Sequence, residues 1–203
     1  MVRIPAYRIR GFRFENIPTM RDIRRIFIHC TAGSQKQTLK DLLKEFKDKG
    51  WKNPGYHYAI FPDGKIECLL NEELVSNGVQ GYNSTSINIA YVGGIDNKGK
   101  ACDNRTDLQK ASLVDLLADL KKKYPNANIM GHRDIWGKDS RKWKKMCPCF
   151  DAEAEYAFLD DVKLDKYEDA GIDETAEPAH PETYVLDHPR DYTGLMEKMM
   201  SWR

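Results

Sequence analysis

The chain has 203 residues, 41% of them hydrophobic and 31% charged, enough for one domain with its own core plus a shorter extra segment, and no apolar run reaches the ~18–20 residues of a membrane span. Its cysteines, Cys30, Cys68, Cys102, Cys147 and Cys149, are odd in number and lack framework spacing, which argues against a disulfide scaffold. The net charge of +1 hides an asymmetry, because residues 1–150 carry 27 Lys or Arg against 16 Asp or Glu, whereas residues 151–203 carry 5 against 15.

A basic body suits a polyanionic partner such as cell wall or nucleic acid, and an acidic tail that folded back would oppose that attraction. Residues 1–23 form a basic extension with aromatics at Tyr7, Phe12 and Phe14. They lack the apolar stretch and small-residue cleavage site of a secretory signal, so the chain is expected to be made and held in the cytoplasm. Arg24 to Cys30 is a short β-rich run, expected to be a buried strand entering the loop Thr31-Ala32-Gly33-Ser34. Thr38 then stands as an N-cap, Leu39, Leu42, Leu43 and Phe46 form one helical face, and Gly50 ends the helix.

Tyr56 to Phe61 and Lys65 to Leu70 flank Pro62-Asp63-Gly64 and read as a hairpin. Ile87 to Val92 is a further strand, stopped by Gly93-Gly94. Thr106 and Gln109 have capping-box spacing ahead of Leu113, Leu116, Leu117 and Leu120, the stripe of a helix ending near Tyr124-Pro125. Ala127 to Met130 is a short strand running into Gly131-His132, and a helix is expected over Ala152 to Leu159. Acids and prolines then dominate from Asp160 to Pro189, as in a linker, before a short terminal helix over Tyr192 to Trp202. The pattern predicts an α/β fold, a single mixed β-sheet flanked by α-helices, with an acidic C-terminal extension. The expected divisions are a basic extension at 1–23, a domain at 24–158, and the linker with its helix at 159–203.

Two histidines stand at strand ends, His29 and His132, and Cys147 follows 15 residues after the second in a polar loop. Imidazole and thiolate together suit zinc, and neighbouring strand ends, ~4.8 Å apart, can aim two rings at one ion. Spacing alone does not separate such ligands from structural hydrogen-bonders. Cys30 follows His29 directly and should face the opposite way, into the core. Cys68 in the hairpin reads as a core residue too, and parity leaves Cys149 open beside Cys147. His57 should point away from Tyr56 and serve packing, while Arg133 and Asp134 are candidates for a pair supporting His132.

Six motifs occur in order: His29-Cys30-Thr31-Ala32, Gly55-Tyr56-His57-Tyr58, Gly81-Tyr82-Asn83, Val92-Gly93-Gly94-Ile95-Asp96, Gly131-His132-Arg133-Asp134, and Lys145-Met146-Cys147-Pro148 with Cys149-Phe150-Asp151 after it. The series resembles the zinc-dependent N-acetylmuramoyl-L-alanine amidases of the phage-lysozyme and peptidoglycan-recognition-protein superfamily, most closely small phage endolysins, and covers roughly Arg24 to Tyr156. The resemblance implies Zn2+ held by His29, His132 and Cys147, with Tyr56 and Lys145 as catalytic residues. Cys149 falls where the family has a small residue, which removes it from the ligand set. Asn83 either contacts the substrate's peptide or shapes the turn after Tyr82. Related phage enzymes often carry a histidine a few residues before Gly-Tyr-Asn, and here Gly78 stands nearest that place.

The implied reaction is hydrolysis of the amide between N-acetylmuramic acid and L-alanine by a zinc-activated water, with Lys145 facing the oxyanion and Tyr56 the water or the intermediate. The leaving amine takes its proton from Tyr56, Lys145 or water. The implied partner is bacterial peptidoglycan, reached after release through a holin-type pore or another export route. Neither direct nucleic-acid binding nor membrane insertion is expected, and the chain is expected to be a monomer. The alternatives are a module that binds peptidoglycan without cutting it, against which the ligand cysteine argues, and a regulatory protein that binds a phage RNA polymerase.

Overall fold

The computed structural model describes residues 21–161. The basic segment 1–20, the acidic segment from 162 onward and the terminal helix expected at Tyr192 to Trp202 lie outside the described residues. Five strands form one sheet: β1 (Arg25–Cys30), β2 (Tyr58–Ile60), β3 (Ile66–Cys68), β4 (Ser86–Tyr91) and β5 (Asn128–Gly131), in the order β3-β2-β4-β1-β5. β1 runs parallel to both β4 and β5, β2 runs parallel to β4, and β3 closes the edge antiparallel to β2. The mixed sheet expected from the alternation of strands and helices is thus present. β1 and β4 lie inside it and are buried on both faces, as parallel strands covered on both sides are.

Side-chain alternation sorts the two faces. Ile26, Ile28 and Cys30 of β1, with Ile87, Ile89 and Tyr91 of β4, meet Leu113, Val114, Leu117 and Leu120 of α2 (Asp107–Lys123) in the main core. α3 (Ala152–Tyr156) and α4 (Phe158–Asp161) pack into that same core through Ala152, Tyr156 and Leu159. One continuous helix was expected here. It breaks at Ala157, whose carbonyl accepts the Asp160 N–H in a tightened turn, and the three buried side chains still face one way. On the opposite face α1 (Leu39–Asp48) lays Leu42 and Phe46 against Ala59. Leu43, expected on that stripe, is exposed instead, because α1 touches the sheet through one narrow row of side chains.

Both long helices begin on capping boxes. Thr38 Oγ1 accepts the Asp41 N–H while Asp41 returns a bond to the Thr38 N–H, and Thr106 and Gln109 do the same at α2. Ahead of β1, the Arg21 guanidinium donates to the carbonyls of Glu72, Leu74, Asn83, Ser84 and Ser86. It binds the start of the domain to the loops on either side of residues 76–82. None of the described helices is long and apolar enough to cross a membrane.

Candidate metal and catalytic site

The register places the site. Ile28 pairs with Gly131 across parallel strands, so His29 and His132 emerge side by side at the C-terminal ends of β1 and β5. Their ring centroids are 4.8 Å apart and their Nδ1 atoms 3.1 Å apart. Cys147 arrives from a loop that is strapped down: its Sγ accepts the Cys30 N–H at 3.3 Å and its carbonyl accepts the Arg133 N–H at 2.9 Å. This brings Sγ to 3.7 Å from His29 Nδ1. The Gly-His and Cys-Pro motifs explain one another, because a Cβ on Gly131 would stand 2.5 Å from Pro148 Cδ. Only glycine lets the cysteine loop close down on β5.

The ligand atoms of His29, His132 and Cys147 all lie within 4.8 Å of one another, and theirs is the one such cluster among the described residues. A tetrahedral zinc with N at ~2.0–2.1 Å and S at ~2.3 Å requires N–N separations near ~3.3 Å and N–S separations near ~3.6 Å. The observed 3.1 and 3.7 Å fit that donor set. Three ligands leave a fourth position for water or substrate, as a catalytic rather than a structural centre requires. Burial pushes the His29 imidazole down to about 4, against the raising effect of its Asn88 hydrogen bond, and the Lys145 charge adds to the lowering. Burial, then His29, then Lys145 lower His132 to about 3. Both rings are therefore neutral at neutral pH, the state a metal ligand needs.

Tyr56 stacks at a tilt 5.1 Å from the His29 ring and meets Phe46 edge-on at 5.5 Å. Burial, and then the neighbouring Cys147 and Cys30 sulfurs, hold its hydroxyl protonated far into the alkaline range. Lys145 is exposed, and its charge contributes to the lowering at both imidazoles. The Asn83 carboxamide oxygen accepts the Val79 N–H at 2.6 Å and so closes the turn over residues 79–83.

Other residues fall outside the cluster. Cys149 turns from the histidines, with Sγ 3.9 Å from the buried Cys30 Sγ. Cys68 was expected in the core but is exposed, because β3 is the sheet's edge strand and Cys68 stands at its end. Asp134 caps the Gly131 N–H at 2.6 Å, and the Arg133 guanidinium lies 4.1 Å over the Trp143 ring. Both thus support the turn rather than the His132 imidazole, which stacks on Trp136 instead. His57 is fully buried opposite Tyr56, and its Nδ1 accepts the Asn88 N–H at 2.9 Å.

The sequence reading missed Asn88. Its carboxamide oxygen takes the His29 Nε2–H at 2.9 Å, and its amide nitrogen donates to Ser76 Oγ and Ser86 Oγ. A polar residue at the centre of Ser86–Tyr91, a strand buried at every position, was the available signal.

A mixed sheet with a His/His/Cys group at the C-terminal ends of its parallel strands defines an α/β domain with a candidate metal site. The family described as N-acetylmuramoyl-L-alanine amidase matches residues 19–149, and the chain belongs to that family. The endolysin of Klebsiella phage KP32 is 38% identical over 128 residues, 62% of this chain and 80% of that protein. Among solved structures, the amidase LysC from Clostridium intestinale URNW superposes with a TM-score of 0.57 at 26% identity, covering 70% of this chain and 87% of that one. The Ph2119 endolysin from a Thermus scotoductus MAT2119 bacteriophage gives 0.53 at 28%, covering 76% and 89%.

Proposed function

We propose that this chain is a zinc-dependent peptidoglycan amidase that hydrolyses the bond between N-acetylmuramic acid and the L-alanine of the stem peptide. The observation that carries the reading is the convergence of His29, His132 and Cys147, with His29 Nδ1 3.1 Å from His132 Nδ1 and 3.7 Å from Cys147 Sγ, close to the values a tetrahedral zinc requires. Family membership supplies the substrate class. Zinc, when bound, supplies a water activated near neutral pH and a Lewis acid for the lactyl carbonyl.

The remaining work falls to this chain's own side chains. Lys145 offers a cation to the oxygen on which negative charge develops, and losing one such donor costs ~10²–10³ in rate. Tyr56, kept protonated by burial, presents its hydroxyl as a hydrogen-bond donor beside His29 and steadies the attacking water or the intermediate. Asn83 spends its carboxamide oxygen on Val79, which leaves its amide nitrogen to meet the stem peptide. The leaving amine takes its proton from Tyr56, Lys145 or solvent. A module that bound the wall without cutting it would have no use for the Cys147 thiol beside two imidazoles.

The test uses wild type and Cys147→Ser with purified peptidoglycan. The reading expects one zinc per chain, rising amino groups with flat reducing ends, and loss of both metal and activity in the variant. A folded wild type that holds no zinc and releases neither product would overturn it.

A further inference from the structure

We propose that Asn88 is a positioning residue of this centre: it holds His29 with the proton on Nε2 and the lone pair on Nδ1, and it does so from the space that Gly78 leaves free. The inference rests on the zinc reading above and deepens it. His29 Nδ1 is the atom that faces both His132 Nδ1 and Cys147 Sγ. A proton there would point into the ligand set and would have to leave before a metal could bind. The 2.9 Å contact from His29 Nε2 to Asn88 Oδ1 keeps the proton on the far side of the ring.

Asn88 can act as a fixed acceptor because it is itself held at every polar atom. Its Nδ2 donates to Ser76 Oγ at 2.9 Å and Ser86 Oγ at 3.3 Å, and all three residues are fully buried. Its backbone N–H donates to His57 Nδ1 at 2.9 Å, and its carbonyl accepts the His57 N–H at 2.8 Å. The chain therefore couples one buried histidine, His57, through Asn88 to the ligand histidine.

Gly78 explains how the carboxamide fits. A Cβ at residue 78 would stand 2.3 Å from Asn88 Oδ1, 2.4 Å from its Cγ and 2.9 Å from the Gly55 carbonyl. One side chain occupies this space, and here it comes from β4. The histidine that related phage enzymes often carry near this place is not merely absent; Asn88 excludes it, and the polar partner of the site is supplied from the sheet instead of the loop.

The test compares metal-free wild type with Asn88→Leu, which keeps the bulk but removes the acceptor, and Asn88→Asp, which keeps the acceptor. Ring nitrogen shifts of His29 report its tautomer by NMR, and zinc affinity is read by chelator competition. Wild type should show Nε2–H. The leucine variant should lose that preference and bind zinc ~10–100-fold more weakly, and the aspartate variant should restore both. If Asn88→Leu does not fold, Asn88→Ala removes the acceptor without the bulk and is read the same way. A folded leucine or alanine variant with the Nε2–H tautomer intact and zinc affinity within about twofold of wild type would overturn the inference. A wild type that takes up no zinc, yet loses its tautomer preference on substitution, would sink the zinc reading and leave Asn88's hold on His29 standing.

Discussion

His57 shows how much a single side chain can say about pH. It is buried, its Nδ1 accepts from the Asn88 N–H, and its Nε2 faces the Leu74 carbonyl with the Arg21 guanidinium alongside. Burial is the largest cause of a folded-state pKa near 4, down from 6.5, and the Arg21 charge works in the same direction. A depressed value means the unfolded chain takes the proton first as acid is added. Stability from this residue is therefore complete above pH ~6.5 and falls as pH drops toward ~4, by a total on the order of 3 kcal/mol. Chemical denaturation of the metal-free protein at several pH values should give a shallower pH slope for His57→Gln than for wild type. Coincident slopes would assign the titration to other groups. Residues of this kind divide by legibility. His29, His132 and Cys147 were readable because each lies in an ordered motif at a strand end or before a proline. Asn88 and Arg21 were not, because what matters about them is which distant atoms they touch, and nothing local in the sequence encodes that.

At the scale of elements, Gln109 does more than its capping-box position suggests. Its Oε1 accepts the Thr106 N–H, as the sequence spacing predicts. Its Nε2 also donates to the carbonyls of Ile60 and Val92, where β2 and β4 end, so α2 is tied to the sheet at its first turn. Gln109→Leu would take the partner from the Val92 carbonyl and from the part-buried Thr106 N–H, while the Ile60 carbonyl keeps the Val92 N–H, and should cost about 2 kcal/mol, against about 1 kcal/mol for Thr106→Ala. Urea denaturation of the two variants checks the ratio, and equal losses would reduce Gln109 to an ordinary cap. The caps themselves were legible because they depend on residues three apart. The breadth of a helix's buried face was not, since it depends on the partner surface: α1 meets the small Ala59 and leaves Leu43 exposed, whereas α2 covers the centre of the sheet and buries Leu113, Leu117 and Leu120.

At the scale of the whole molecule, the candidate ligands come from segments far apart in sequence, His132 standing 103 positions and Cys147 118 positions after His29. A metal that binds only where these segments meet stabilises the folded state by mass action. Free zinc at ~100 times its dissociation constant adds ~2.7 kcal/mol, or roughly 5–10 °C in Tm for a domain of this size. Thermal unfolding with and without a strong chelator should show that drop, and Cys147→Ser should show none. An unchanged wild-type Tm would mean the cluster does not hold metal in solution. The α/β class was legible from alternating elements, but the strand order was not. β1 and β4 are buried almost throughout, so neither run records which neighbour it pairs with. The Arg21 guanidinium has a practical consequence for anyone excising the lytic module for fusion to another binding domain. A fragment that began at Ile23 would contain every motif and every candidate ligand, yet it would remove a donor from five carbonyls between Glu72 and Ser86, in the segments that border His57 and Asn88. The cut belongs upstream of Arg21.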